Sequence, residues 1–214
     1  MNLMKRHFFI FLVLMNTVQA QTINPVGEYY LRGVMETASG FQLKADSSFL
    51  FFYSYGMLDR FGRGSWGMDH SRIILNSRSR PPVDFKLLAS RKIPGDSITV
   101  VIKDNNNTLL RYIHCQLRSS SVTKELKTSE DGFAVFAPGA FDSLALLFQL
   151  CPDRFSVFPV DPQNNYYEFG FEPWITEVFF VNFSLECSPA ELFGKHPLIK
   201  GREFHYEKSG HAKD

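Results

Sequence analysis

The chain is short of cysteine, tryptophan and net charge: three Cys, two Trp and a formal charge of +1 in 214 residues. Each scarcity excludes something. Lys and Arg number 23 against 22 Asp and Glu, so no surplus of positive charge draws in nucleic acid or an anionic membrane surface. The cysteines, Cys115, Cys151 and Cys187, do not have the spacing of a metal motif. In an oxidising compartment they permit one disulfide with one thiol left over, or three small buried side chains, and the sequence does not select a pair. Nucleophile-elbow, phosphate-loop, dinucleotide and zinc signatures are all missing. That excludes enzymes built on short local motifs and leaves those whose sites are assembled from distant residues; no cofactor and no metal is expected. No heptad, low-complexity tract or fixed-period repeat is present. Outside Phe8–Met15, which is itself too short, no apolar run approaches the ~20 residues of a membrane-spanning helix.

What the chain does contain is phenylalanine, 22 residues of it, much of it on alternating positions. That placement favours sheets over helices. The first twenty residues form a three-part export pattern: Lys5 and Arg6, then the apolar Phe8–Met15, then Val18-Gln19-Ala20 with small residues placed for cleavage before Gln21. A cleaved signal peptide over 1–20 is therefore expected, and its loss removes the small basic surplus. Beyond it, short strands are expected at 28–36, 40–44, 49–55, 64–68, 72–75 and 84–88, then at 97–103, 109–117, 125–128, 133–136, 143–150, 155–160, 166–171 and 177–185, with turn residues between them. Residues 49–55 alternate Phe49, Phe51, Tyr53 and Tyr55 against Leu50, Phe52 and Ser54. Both faces are apolar, which predicts a strand covered on both sides. Residues 56–62 read as a loop. Only 189–193 suits a helical turn, and 209–214 reads as a loose polar tail. Ser90–Gly95 is polar and holds Pro94 and Gly95, which predicts a seam between units at 24–90 and 96–208.

Two stretches resemble known families. Gly27-Glu28-Tyr29-Tyr30-Leu31, Phe41-x-Leu43-x-x-Asp46-x-x-Phe49 and Gly62-x-Gly64-x-Trp66 are similar to lipocalin-like modules of secreted bacterial proteins. That resemblance implies a small antiparallel sheet, or a partial barrel that the second half completes. Ile98–Asp104, Leu109–Leu117 and the hairpin Thr128-Ser129-Glu130-Asp131-Gly132-Phe133 resemble the carboxypeptidase regulatory-like, or transthyretin-like, β-sandwich. The expected class is thus all-β: a lipocalin-like sheet or partial barrel followed by a transthyretin-like sandwich. Neither resemblance implies catalytic residues; both imply binding, display or spacing.

The best candidate site on sequence grounds is the aromatic and charged stretch 53–61. Tyr53, Tyr55, Asp59 and Arg60, with Trp66 nearby and Glu36 on a neighbouring strand, could stack on and hydrogen-bond a sugar or other polar ligand. His196, His205 and His211 fit no shared face and read as a solvated tail rather than a metal site. His114 and Cys115, adjacent in a strand, point to opposite faces. Tyr166–Phe171 with Phe179 and Phe180 reads as sandwich core or packing between units, or as a partner surface if exposed. These features predict an exported, periplasmic or extracellular, non-catalytic protein that binds a small polar ligand or an envelope partner. The alternatives are an envelope-polymer hydrolase using distant carboxylates such as Glu36 and Asp59, and a structural component that joins other chains through β edges.

Overall fold

The computed structural model describes residues 23–210. The expected signal segment, and the tail beyond 210, lie outside the described residues. Seventeen strands follow in chain order. The first six are β1 (Gly27–Leu31), β2 (Thr37–Leu43), β3 (Ser48–Tyr55), β4 (Leu58–Asp69), β5 (Arg72–Asn76) and β6 (Phe85–Arg91). The next six are β7 (Ile98–Lys103), β8 (Ile113–Arg118), β9 (Thr123–Lys127), β10 (Phe133–Phe136), β11 (Ser143–Phe148) and β12 (Ser156–Pro159). The last five are β13 (Tyr166–Phe171), β14 (Glu177–Val178), β15 (Phe183–Cys187), β16 (Glu191–Lys195) and β17 (Glu203–Lys208).

Eight strands close into an antiparallel barrel in the order β4-β3-β2-β1-β17-β16-β15-β5, with β5 returning to β4. The closing pair joins the two ends of the chain: Tyr29 lies opposite Lys208 and Leu31 opposite Tyr206. Closure matters because it leaves no barrel strand with a free edge. The fold class is all-β, and the barrel is compatible with a lipocalin-like fold. The partial barrel of the N-terminal half is completed by three strands from the far end of the chain. Between β5 and β15 the chain builds two further four-stranded sheets, β10-β7-β13-β6 and β12-β11-β8-β9. One apolar cluster lies between them, with Ile102, Ile113, Leu117, Leu144, Leu146 and Phe169 fully buried.

The barrel is filled rather than hollow. Inward residues of alternate positions, Tyr29, Phe41, Leu43, Phe49, Phe51, Ile73, Leu75, Leu185, Leu192 and Tyr206, have almost no exposure. Phe180, from the segment that returns from the two sheets to the barrel, sits among Phe41, Phe49 and Phe51 with ring centroids 6.2, 5.1 and 5.4 Å away. Gly62 makes room for it, since a Cβ there would lie 2.5 Å from the Phe180 ring. The barrel's outer face carries Glu28, Arg32, Arg63, Arg72 and Glu207 in partly or fully exposed positions. Among the described residues no helix is long and apolar enough to cross a membrane.

Several local expectations are corrected. The loop read at 56–62 shrinks to a turn at Gly56-Met57, where Gly56 takes a positive φ of 58°; β4 then begins at Leu58, because Arg60 and Gly62 point inward where only the tertiary structure supplies partners. The strand read at 109–117 starts as a 3-10 turn over Asn107–Tyr112, whose Asn106 side chain accepts from the Thr108 N–H; Asn at such a cap competes with extended backbone. The helical turn read at 189–193 is strand β16, drawn into the barrel by Leu192. The seam read at 90–95 connects β6 to β7, two strands of one sheet that both pair with β13. Residues 183–208, expected with the sandwich, pair into the barrel instead.

Candidate functional site

The residues singled out on sequence grounds separate in three dimensions. The register brings Glu36, Tyr55 and Asp59 to one end of the barrel, since Thr37 faces Tyr55 and Ser54 faces Asp59; all three are exposed. Glu36 occupies a positive-φ turn. Trp66 donates its indole N–H to the Lys44 carbonyl at 3.0 Å, tying β4 to the β2–β3 turn. Tyr53 packs inward against His196, ring centroids 5.5 Å apart. Arg60 is nearly fully buried and turns away from Glu36 and Asp59 to Asp153, beyond the barrel, at 2.7 Å. Leu58, beside it, packs on the apolar cluster of the two further sheets. Leu58 and Arg60 are therefore where this stretch meets the two further sheets.

An extended ion network continues from Arg60. Asp153 also takes Arg80 at 3.4 Å. Asp84, almost buried, accepts from Arg80 at 3.0 Å and from both Nε and Nη2 of Arg154 at 3.0 and 2.7 Å. Glu177, 1% exposed, holds Arg78 at 2.8 Å and Arg63 at 3.6 Å. Trp174 donates to the Val83 carbonyl at 2.9 Å, and Arg78 lies over both Trp174 and Phe179. Carboxylates and guanidiniums matched at this depth hold elements in register.

The three cysteines are free and buried. Burial pushes the thiol of Cys115 up to about 12 and that of Cys151 to about 11, so neither offers a thiolate near neutral pH. His114 and Cys115 do face opposite ways: Cys115 is fully buried while His114 meets Glu125 at 3.0 Å. His196 is not in a tail but inside the barrel. His205 lies on the outer face against Glu191 at 3.0 Å; His211 is outside the described residues. Among the described residues no group of His, Cys, Asp and Glu could hold a metal ion. Tyr167, Phe169 and Phe180 are core residues.

A concave site does exist, on the outer surface of β1–β4. Strand β3 is covered on one face only, contrary to the expectation from its sequence. Its inward Phe49 and Phe51 are buried, while Leu50 and Phe52 remain 43% and 40% exposed. The antiparallel register sets Tyr30, Gly40, Phe52 and Phe61 in one row across four strands. Tyr30 and Phe61 are 39% and 38% exposed, so three aromatic rings crop out side by side. Gly40 is required in that row: a Cβ there would collide with the Tyr29 carbonyl and come within 2.8 Å of Phe52 Cε1. The Phe52 ring edge thus reaches across the bare glycine, its plane inclined 61° to the Tyr30 ring at 6.0 Å. The neighbouring row adds Glu28, Gln42 and Leu50. Together they line a groove of about 320 Å³.

The polar rim of this groove is already organised. Glu28 accepts from the Tyr30 hydroxyl at 2.8 Å on one oxygen and from Gln42 Nε2 at 3.1 Å on the other. The hydrogen bond to Glu28 makes the Tyr30 phenol harder to ionise than usual. Arg63 lies 6.0 Å from the centroid of Phe61 and reaches Glu177 behind it. Such a groove offers a ligand aromatic surface and a fixed set of hydrogen-bonding groups. Tyr30 and Gln42 were missed in the sequence because their importance depends on cross-strand register. The one sequence signal was the apolar second face of 49–55, which the alternation alone assigns to a covered face.

No protein-family model matches the chain, and no curated protein or solved structure matches it at a significant level.

Proposed function

We propose that this chain is a non-catalytic binding module, exported to the periplasm or the cell exterior, that takes its ligand or envelope partner on the outer face of the barrel. The observation that carries this reading is the exposed row Tyr30, Phe52 and Phe61 beside the Glu28–Gln42 pair. Large aromatic side chains cropping out together on a face otherwise rich in charge are what binding surfaces retain and plain surfaces do not. A filled lumen directs binding outward, since no ligand fits among rings 5 to 6 Å apart. The export pattern of the first twenty residues supports the location. The similarity of 27–88 to lipocalin-like modules and of 97–136 to transthyretin-like sandwiches supports binding or display over catalysis.

The test is a thermal-shift screen of the chain without residues 1–20 against sugars, lipids, peptides and metals. A ligand that binds only the folded state raises its melting temperature. At least one compound is expected to do so in the wild type and not in Phe52→Ser. A compound that stabilises both proteins equally places binding elsewhere and refutes the groove.

A further inference from the structure

We infer that the groove's ligand is a neutral saccharide chain, stacked on the rings of Phe52 and Tyr30 and hydrogen-bonded at its hydroxyls by Glu28 and Gln42. This rests on the outer groove being the binding site. The choice among ligand classes follows from the chemistry of its floor and rim. The floor is aromatic, with Phe52 and Tyr30 each about 40% exposed and the edge of the Phe52 ring set across Gly40. A flat ring face favours a flat partner whose C–H bonds point at it, and one face of a pyranose supplies that.

The rim decides the rest. Glu28 and Gln42 are planar acceptor and amide groups fixed to one another at 3.1 Å, with Glu28 also held by Tyr30. Glu28 keeps lone pairs free on both oxygens, and Gln42 keeps its carbonyl and one N–H. Two adjacent hydroxyls of a sugar, each both donor and acceptor, match that set without moving it, which limits the entropy lost on binding. A fatty chain would strip water from Glu28 and Gln42 and return no hydrogen bond. An anionic group such as phosphate would meet the Glu28 carboxylate, and the Arg63 guanidinium beside Phe61 already faces Glu177 at 3.6 Å. The groove is open, not an enclosed cavity, and it runs across four strands, which suits a chain whose units continue past the site rather than a small molecule enclosed on all sides.

The experiment is a titration of ¹⁵N-labelled chain, without residues 1–20, followed through the amide signals of residues 28–31, 40–43, 50–53 and 60–63. The probes are neutral hexasaccharides of glucose and of N-acetylglucosamine, both β- and α-linked, with tetramethylammonium and decanoate as the competing chemistries. At least one hexasaccharide is expected to move those signals and leave those of β7–β13 in place. Phe52→Ala and Gln42→Ala, each on a partly exposed side chain, are expected to weaken that binding roughly tenfold while the remaining spectrum keeps its dispersion. If tetramethylammonium or decanoate moves the groove signals and no saccharide does, the saccharide assignment is overturned and the groove stands. If none of the probes moves them, or a saccharide moves only signals elsewhere, the groove itself is overturned.

Discussion

His196 shows how one side chain links the barrel interior to its outer surface. Its Nδ1 accepts from the backbone N–H of Leu198 at 2.9 Å and of Ile199 at 3.0 Å. Those two donors fix the proton on Nε2, which donates to Ser39 Oγ at 3.1 Å, and Ser39 in turn donates to the Phe52 carbonyl at 2.9 Å. The relay pins the backbone that carries the groove's central ring. Burial among Phe51, Tyr53, Phe204 and Tyr206 depresses the imidazole from 6.5 to about 4. Protonation would turn Nδ1 into a donor facing two donors. The sign follows: between pH 6.5 and 4 the unfolded chain binds a proton that the folded chain refuses. The stabilisation from a neutral His196 is complete above pH 6.5 and is lost as pH falls toward 4, about 3 kcal/mol in all. Urea denaturation of wild type and His196→Gln at pH 7.5 and 4.5 isolates it, because carboxylate titration is common to both. The stability difference between the two proteins is expected to move by about 2 kcal/mol against the wild type at the lower pH. A constant difference would mean that His196 titrates as an exposed imidazole. The sequence hid this residue: three histidines near a polar terminus give no sign that the chain after Pro197 would fold the Leu198 and Ile199 amides back onto the first of them.

Among elements, the segment between β13 and β15 ties the barrel to the two further sheets at three points. Its Trp174, Glu177 and Phe180 reach respectively the start of β6, the arginines beside β4 and β5, and the barrel core. Asp84, just before β6, anchors the other side through three hydrogen bonds from Arg80 and Arg154, and its own N–H donates to Ser156 Oγ at 2.7 Å. Removing one buried partner leaves the others charged and unmatched, which costs more than the pair contributes. Asp84→Ala is expected to lose about 3 kcal/mol in urea denaturation. Glu186→Ala, which breaks the exposed pair with Arg72, is expected to lose under ~1 kcal/mol. Equal losses would show that the network adds nothing beyond surface pairing. The strands themselves were legible: 133–136 and 166–171 match to the residue, because their alternation and flanking turns are local properties. Arg60 was legible as a residue of interest but not its partner, since Asp153 lies in a turn ninety-three positions away with nothing in its surroundings to mark it.

The whole molecule differs from its sequence reading chiefly in which end of the chain completes which sheet. Alternation announces a strand but carries no address for its neighbour. Nothing within 183–208 distinguishes barrel from sandwich: Phe183, Leu185, Leu192, Phe204 and Tyr206 would suit either. What settles it is closure, since β1 and β5 would otherwise leave two apolar strand edges unpaired, and only β15, β16 and β17 bridge them. A chain cut near residue 90 therefore holds five barrel strands, open on both sides, plus β6 without its partner β13. Its inward Phe41, Phe49 and Phe51 lose Phe180 as a neighbour, and Phe41 also loses Tyr206. Residues 24–90 expressed alone are expected to give collapsed amide dispersion, no cooperative thermal transition and a concentration-dependent aggregate in size-exclusion chromatography. Adding residues 180–208 as a second, separately made chain supplies the missing strands and the Phe180 ring. If closure is the organising interaction, that mixture recovers dispersion and a transition that strengthens with concentration. A 24–90 chain that folds cooperatively as a monomer by itself would show that the five N-terminal strands hold a sufficient core without closure.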